Sequence, residues 1–256
     1  MSFTNFFKYL IPVSFFTGLP ALALADHGGL HSNDPVGMSF WVISIAMVAA
    51  TAFFFLESLR FSGKWRTSMV VGGLVTLVAA VHYFYMRDVW ASSGASPTGY
   101  RYVDWLVTVP LQMVEFYLIL AACTAVAGGV FWRLFIGSLV MLIAGYLGET
   151  GMINATIGFV VGIAGWIYIL YEIFAGEAGK VSAADAPASV QSAFNTMRWI
   201  VTIGWAIYPL GYFLGYLAGS GPDAATLNVI YNIADVLNKI GFCLAVWACA
   251  SAESKA

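Results

Sequence analysis

Long stretches without a formal charge recur along this chain, and nothing else in it restricts folding so strongly. Val36 to Leu56 holds no charge, and Thr67 to Met86 holds only His82. Leu134 to Gly148, Thr150 to Tyr171 and Trp199 to Pro222 hold none. Tyr102 to Trp132 contains Asp104 and Glu115, and Ala224 to Ala252 contains Asp235 and Lys239. A helix needs about 20 apolar residues to cross the hydrocarbon core. The run from Tyr102 to Trp132 is too long for one straight span, and Gly128-Gly129 divides it. Seven membrane helices are therefore expected, at roughly 36–61, 67–90, 101–124, 130–149, 153–176, 194–218 and 224–251. The fold class that follows is an all-α integral membrane bundle. Charged residues make up only 9% of the 256 residues, against about a quarter in a soluble domain. A formal charge of -2 leaves no basic footprint for nucleic acid. Cys123, Cys243 and Cys249 are odd in number and scattered through apolar sequence, as inert buried thiols are, and no metal site is expected.

Residues 1–25 read as a secretory signal, with Lys8 as the single charge, an apolar stretch from Tyr9 broken by Pro12, Gly18 and Pro20, and Ala23-Leu24-Ala25 ahead of cleavage at Asp26. The rival is a retained first helix. Residues 26–256 then form a single domain. Lys and Arg cluster at the odd-numbered connections: Arg60, Lys64 and Arg66 at the first, Arg133 after the third, Lys180 and Arg198 at the fifth, and Lys255 in the tail. Those ends are expected in the cytoplasm, with the N-terminus outside and the C-terminus inside. One long polar loop is expected near Gly176 to Ala193.

Ionisable groups at bilayer depth are costly and mark function. Lys239 lies near the middle of its span, too deep to snorkel easily. A desolvated lysine there suits an imine with an aldehyde, and Asp235, one turn earlier on the same face, suits the counterion. A structural ion pair between the two is the alternative. The third helix carries Arg101, Asp104, Thr108 and Glu115 along one stripe, with the carboxylates about 16 Å apart at 1.5 Å per residue. That spacing is too wide for a shared-proton pair and suits a relay. Asp104 beside a buried cation is expected to stay ionised, and Glu115, among Val114, Phe116 and Leu118, to rest as the neutral acid. His82 reaches a depth similar to Asp104, so a His–Asp contact is expected.

The run Arg101-Tyr102-Val103-Asp104-Trp105-Leu106-Val107-Thr108-Val109-Pro110 resembles the third helix of microbial rhodopsins. Trp205-Ala206-Ile207-Tyr208-Pro209 resembles their sixth, and Asp235-Val236-Leu237-Asn238-Lys239 their retinal-binding seventh. The likeness spans the chain after the signal, with the three motifs in order, and points to the proteorhodopsin group of bacterial light-driven proton pumps. It implies all-trans retinal bound covalently at Lys239 as a protonated Schiff base in a seven-helix bundle of the bacterial inner (cell) membrane. It makes Asp104 the proton acceptor, Asp235 a second counterion and Glu115 the proton donor, the pattern of outward pumps. Arg101 and Thr108 flank that set, His82 matches a histidine that hydrogen-bonds the acceptor, and Glu149 matches an outer carboxylate. Trp105, Met141, Trp166, Trp205, Tyr208 and Pro209 match the retinal pocket.

Gln112 stands at a position that is Leu in green-absorbing members and Gln in blue-absorbing ones, so the resemblance implies blue absorption and a slower cycle. Phe159 stands where antenna-binding relatives have Gly, which implies no carotenoid antenna. Assembly as a homo-pentamer or hexamer, with Trp41 and His82 meeting across the contact, is also implied. A photosensor signalling through a membrane partner is the principal rival; a light-independent transporter and a passive light-gated channel are the others.

Overall fold

A computed structural model describes residues 33–219 and 223–254. The expected signal segment 1–25 and Lys255 lie outside the described residues. Among the described residues, seven helices are long and apolar enough to cross a membrane: α1 Pro35–Ser58, α2 Gly63–Ser93, α3 Thr98–Cys123, α4 Gly128–Glu149, α5 Ala155–Asp185, α6 Ala188–Leu217 and α7 Ala224–Glu253. The protein is a multi-pass membrane bundle.

Local chemistry sets the helix ends. Asp34 caps α1, accepting the backbone N–H groups of Val36 and Gly37, and Pro35 occupies the first turn, where its missing N–H costs nothing. Asn154 and Asp223 cap α5 and α7 in the same way. Gly94 ends α2 at a φ of 65°, a conformation that side chains resist.

The side-chain distribution is the reverse of a soluble protein's. Leu56, Ile203, Leu237 and Ile233 are exposed, while Arg101, Asp104, Glu115, Asp235 and Lys239 are buried. Between α4 and α5 the backbones nearly touch: a Cβ on Gly158 would meet the Gly148 Cα at 2.8 Å. Small residues allow this approach where lipid offers no hydrophobic drive between helices.

One expectation fails. The segment 176–193 is not a long loop. α5 is interrupted only at residues 175–176 and resumes over Glu177–Asp185, and α6 starts at Ala188 after Pro187. The Arg133 guanidinium pins the resumed turn by bridging Glu172 at 2.9 Å and Glu177 at 2.6 Å. Burial of Ala178 and Ser182 adds to the hold.

Among the described residues, three π-helical segments interrupt the last two spans: Ile200–Gly204 and Phe213–Leu217 in α6, and Val236–Gly241 in α7. Pro209 has no N–H for the Trp205 carbonyl, which accepts from Tyr208 N at 3.1 Å instead. Pro110, by contrast, sits inside an unbroken α3. π-segments concentrate at functional sites, and here two of them lie beside Lys239.

Candidate functional site

The π-segments are fastened to each other and to their neighbours by side chains. Asn238 Nδ2 donates to the Gly204 carbonyl at 3.0 Å, joining the π-segment of α7 to that of α6. Trp166 Nε1 donates to the Val201 carbonyl at 3.1 Å, joining α5 to the same turn. Gln112 donates to the Asn238 carbonyl, joining α3 to the backbone just before Lys239. The segment that carries Lys239 is thus held by α6 and α3, and α5 braces the α6 turn.

The Lys239 ammonium lies between two carboxylates. It donates to Asp104 Oδ2 across the bundle, and to Asp235 Oδ2 at 2.8 Å one turn back on its own helix. All three side chains are 3% exposed or less. Such a cluster is stable only if its remaining lone pairs find donors. Asp235 has them: Tyr83 donates to Oδ2 at 2.7 Å and Tyr208 to Oδ1. Asp104 does not, because its Oδ1 has no hydrogen-bond partner among the described residues. The Tyr83 ring also lies 5.9 Å below the ammonium, close enough for cation–π attraction.

Arg101 is buried but touches neither carboxylate through a hydrogen bond. Its Nη2 donates to Asn228 at 2.8 Å and Asn232 at 2.9 Å, and its guanidinium rests against the rings of Phe40 and Tyr231. Its Nε and Nη1 are without partners among the described residues. The buried cation beside Asp104 is therefore Lys239. Thr108 spends its hydroxyl on the Asp104 backbone carbonyl, not on the carboxylate.

The expected His82–Asp104 hydrogen bond is not made. The His82 ring nitrogen Nδ1 lies 2.8 Å from the Val78 carbonyl, one turn earlier in its own helix. That local bond engages only Nδ1, and His82 still lies close enough to Asp104 to interact with it electrostatically. Trp41 packs edge-on against Phe84 and beneath the Arg87 guanidinium.

Glu115 lies deeper along α3, 1% exposed. Neither of its oxygens has a partner among the described residues, and neither has Ser68 Oγ, which faces it from α2. Glu149, the last residue of α4, lines the same cavity as Lys239.

That cavity holds about 100 Å³ of free space, a narrow slot between side chains. Every residue expected for the chromophore pocket lies in its wall: Lys239, Trp105, Gln112, Met141, Trp166, Trp205, Tyr208 and Pro209. Phe159 is there as well, packed against Tyr212 and Phe213. An aromatic slot with one amine in its wall, flanked by two carboxylates, has the chemistry to hold a long conjugated aldehyde.

Sequence reading missed Tyr83, Asn228, Asn232, Asn238 and Ser68. Each is a polar residue inside an apolar run, and that signal was available. Its partners lie on other helices, so the role was not.

A seven-span bundle built around a buried lysine, its two carboxylates and an aromatic slot is the class that fold and site define. The chain belongs to the bacteriorhodopsin-like protein family, which matches it over residues 34–252. It is 52% identical over 247 residues to the green-light absorbing proteorhodopsin of Gamma-proteobacterium EBAC31A08, covering 96% of this chain and 98% of that one. It is 51% identical over 248 residues to the blue-light absorbing proteorhodopsin of Gamma-proteobacterium Hot 75m4, with the same coverage. The solved structure of blue light-absorbing proteorhodopsin from Med12 superposes with a TM-score of 0.73 at 50% identity, covering 86% of this chain and all of that one.

Proposed function

We propose that this chain is a light-driven outward proton pump that carries all-trans retinal covalently on Lys239 and absorbs blue light. The carrying observation is the Lys239 nitrogen buried between Asp104 and Asp235 in the wall of an aromatic cavity. Retinal, when bound, supplies light absorption and a change of shape next to that nitrogen.

The chain's own residues move the proton. Asp104 takes it from the Lys239 nitrogen, because Oδ2 already touches Nζ and Oδ1 is held by nothing else. Asp235 remains the anion, since two tyrosine hydroxyls already donate to it. When Asp104 loses its charge, the unpaired guanidinium nitrogens of Arg101 turn toward the outer carboxylate Glu149 and favour release there. Glu115 refills the nitrogen from the other side. Its setting is apolar apart from the Ser68 hydroxyl that faces it, and an isolated charge is costly there, so Glu115 rests with a proton to give.

Direction follows from the basic end of the bundle. Lys64 donates to the Ala121 carbonyl, six residues beyond Glu115, so Glu115 faces the end that carries Arg60, Lys64 and Arg66. By the positive-inside rule that end is cytoplasmic. The inner cell membrane, a cleaved signal over residues 1–25 and assembly as a pentamer or hexamer belong to the same proposal. Gln112, 1% exposed in the cavity wall, supports blue absorption: a fixed amide dipole near the amine favours the ground-state charge distribution. The test is to express the chain, add retinal, and record the visible spectrum and the external pH under light. A pump colours and acidifies an unbuffered medium. No colour refutes the cofactor, and a coloured protein that leaves pH unchanged refutes the pump and favours a photosensor.

A further inference from the structure

A second polar cluster closes the end of the bundle nearest Glu115. Glu253, the last residue of α7, accepts Ser189 Oγ of α6 on Oε1 and Cys123 Sγ of α3 on Oε2, the latter at 3.6 Å. One half-buried carboxylate thus ties together the ends of three helices. Between this cluster and Glu115 the same three helices build an apolar plug. Phe116, next to Glu115, packs edge-on against Phe194 of α6 at 5.0 Å and Phe242 of α7 at 5.7 Å. Ile119 and Val246 are buried in the same cluster. From Phe194 to Ser189 is about 7 Å along the helix, and from Phe116 to Cys123 about 10 Å, at 1.5 Å per residue. The tie therefore sits about two turns below the plug.

We propose that Glu253 is a positioning residue for proton uptake. It clasps α3, α6 and α7 shut beneath the plug at rest, and its release lets a proton reach Glu115. The proposal rests on the reading of Glu115 as the donor. The plug residues carry no group able to pass a proton, so the helices around them must part. α6 is the helix built to move, with two π-segments and the proline-broken turn at Trp205. Its end is held by the Ser189 bond to a carboxylate, and bonds to charged groups are the strong ones.

Cys123 is a built-in reporter. The retinal-loaded full chain is treated with a maleimide in the dark and under steady light, and peptide mass spectrometry reads Cys123 apart from Cys243 and Cys249. Ser189→Ala breaks the clasp without touching Cys123. Losing one hydrogen bond to a charged group changes an opening equilibrium by about tenfold, and since Cys123 is already partly exposed at rest, Ser189→Ala should raise its dark labelling by up to about tenfold. Light should do the same to the parent chain, and the variant should recover its dark spectrum faster after a flash. Unchanged dark labelling in Ser189→Ala overturns the proposal. So does equal labelling of the parent in light and dark when the pigment pumps normally. If instead no light-driven pH change occurs while Ser189→Ala still exposes Cys123, the pump reading fails and the clasp stands.

Discussion

Replacing Lys239 with alanine unbalances its two carboxylates unequally, and the inequality can be measured. Asp104 loses its only side-chain donor among the described residues, whereas Asp235 keeps Tyr83 at 2.7 Å and also Tyr208. Breaking a buried ion pair by removing one partner costs about 3–5 kcal/mol, because a charge is left uncompensated. In the Lys239→Ala background, Asp104→Asn removes the stranded charge and should restore most of that loss. Asp235→Asn should restore little. It relieves a carboxylate that two hydroxyls already satisfy, each worth about 1.5–3 kcal/mol to a charged acceptor, and offers them a poorer one. The two double variants should differ by about 2 kcal/mol, or about 4–8 °C in melting temperature for a chain of this size. Thermal unfolding of the three variants and the parent, all free of retinal in one detergent, supplies the comparison. Equal rescue by the two substitutions, or better rescue by Asp235→Asn, would refute the assignment of Asp104 as the dependent partner.

Other outcomes follow from the same geometry. Gln112→Leu removes the amide that donates to the Asn238 carbonyl and should move the absorption maximum to longer wavelength; an unchanged spectrum defeats this account of the colour. Asp104→Asn should red-shift the pigment and abolish light-driven acidification, while Glu115→Gln should keep the colour and slow dark recovery, both read by flash spectroscopy and a pH electrode. At the start of α7, the backbone N–H of Thr226 holds the Asp223 carboxyl below its usual range. A depressed value in the folded chain means that Asp223 adds stability at neutral pH and loses it as pH falls through that value. Asp223→Asn keeps the cap, so its melting temperature should fall less between neutral and acid pH than the parent's.

Much of this was readable before any fold was in hand, for identifiable reasons. Bilayer thickness fixes span length, so uncharged runs gave all seven helices. Helical spacing placed Asp235 and Lys239 on one face, and the structure brings Asp104 to the same nitrogen. What escaped reading depends on contacts between distant helices. Tyr83 lies 152 residues from Asp235, and no local pattern joins them. His82 lies close enough to Asp104 to act on it electrostatically, as depth suggests, but the bond of its Nδ1 to the Val78 carbonyl in its own helix could not be read from depth. The helical turn Glu177–Asp185 was hidden by its polarity. It is secured by Arg133, from another helix, together with the small buried residues Ala178 and Ser182.

The plug beside Glu115 also decides where an electrical potential across the membrane acts. Polar groups line the interior from Lys239 through Arg101, Asn228 and Asn232, whereas Phe116, Phe194 and Phe242 offer only rings. The least polarisable section of a series takes the largest share of the voltage. Moving one charge against 100 mV requires about 2.3 kcal/mol. A polarised cell should therefore brake this molecule at the refilling of Glu115 and leave its hue untouched.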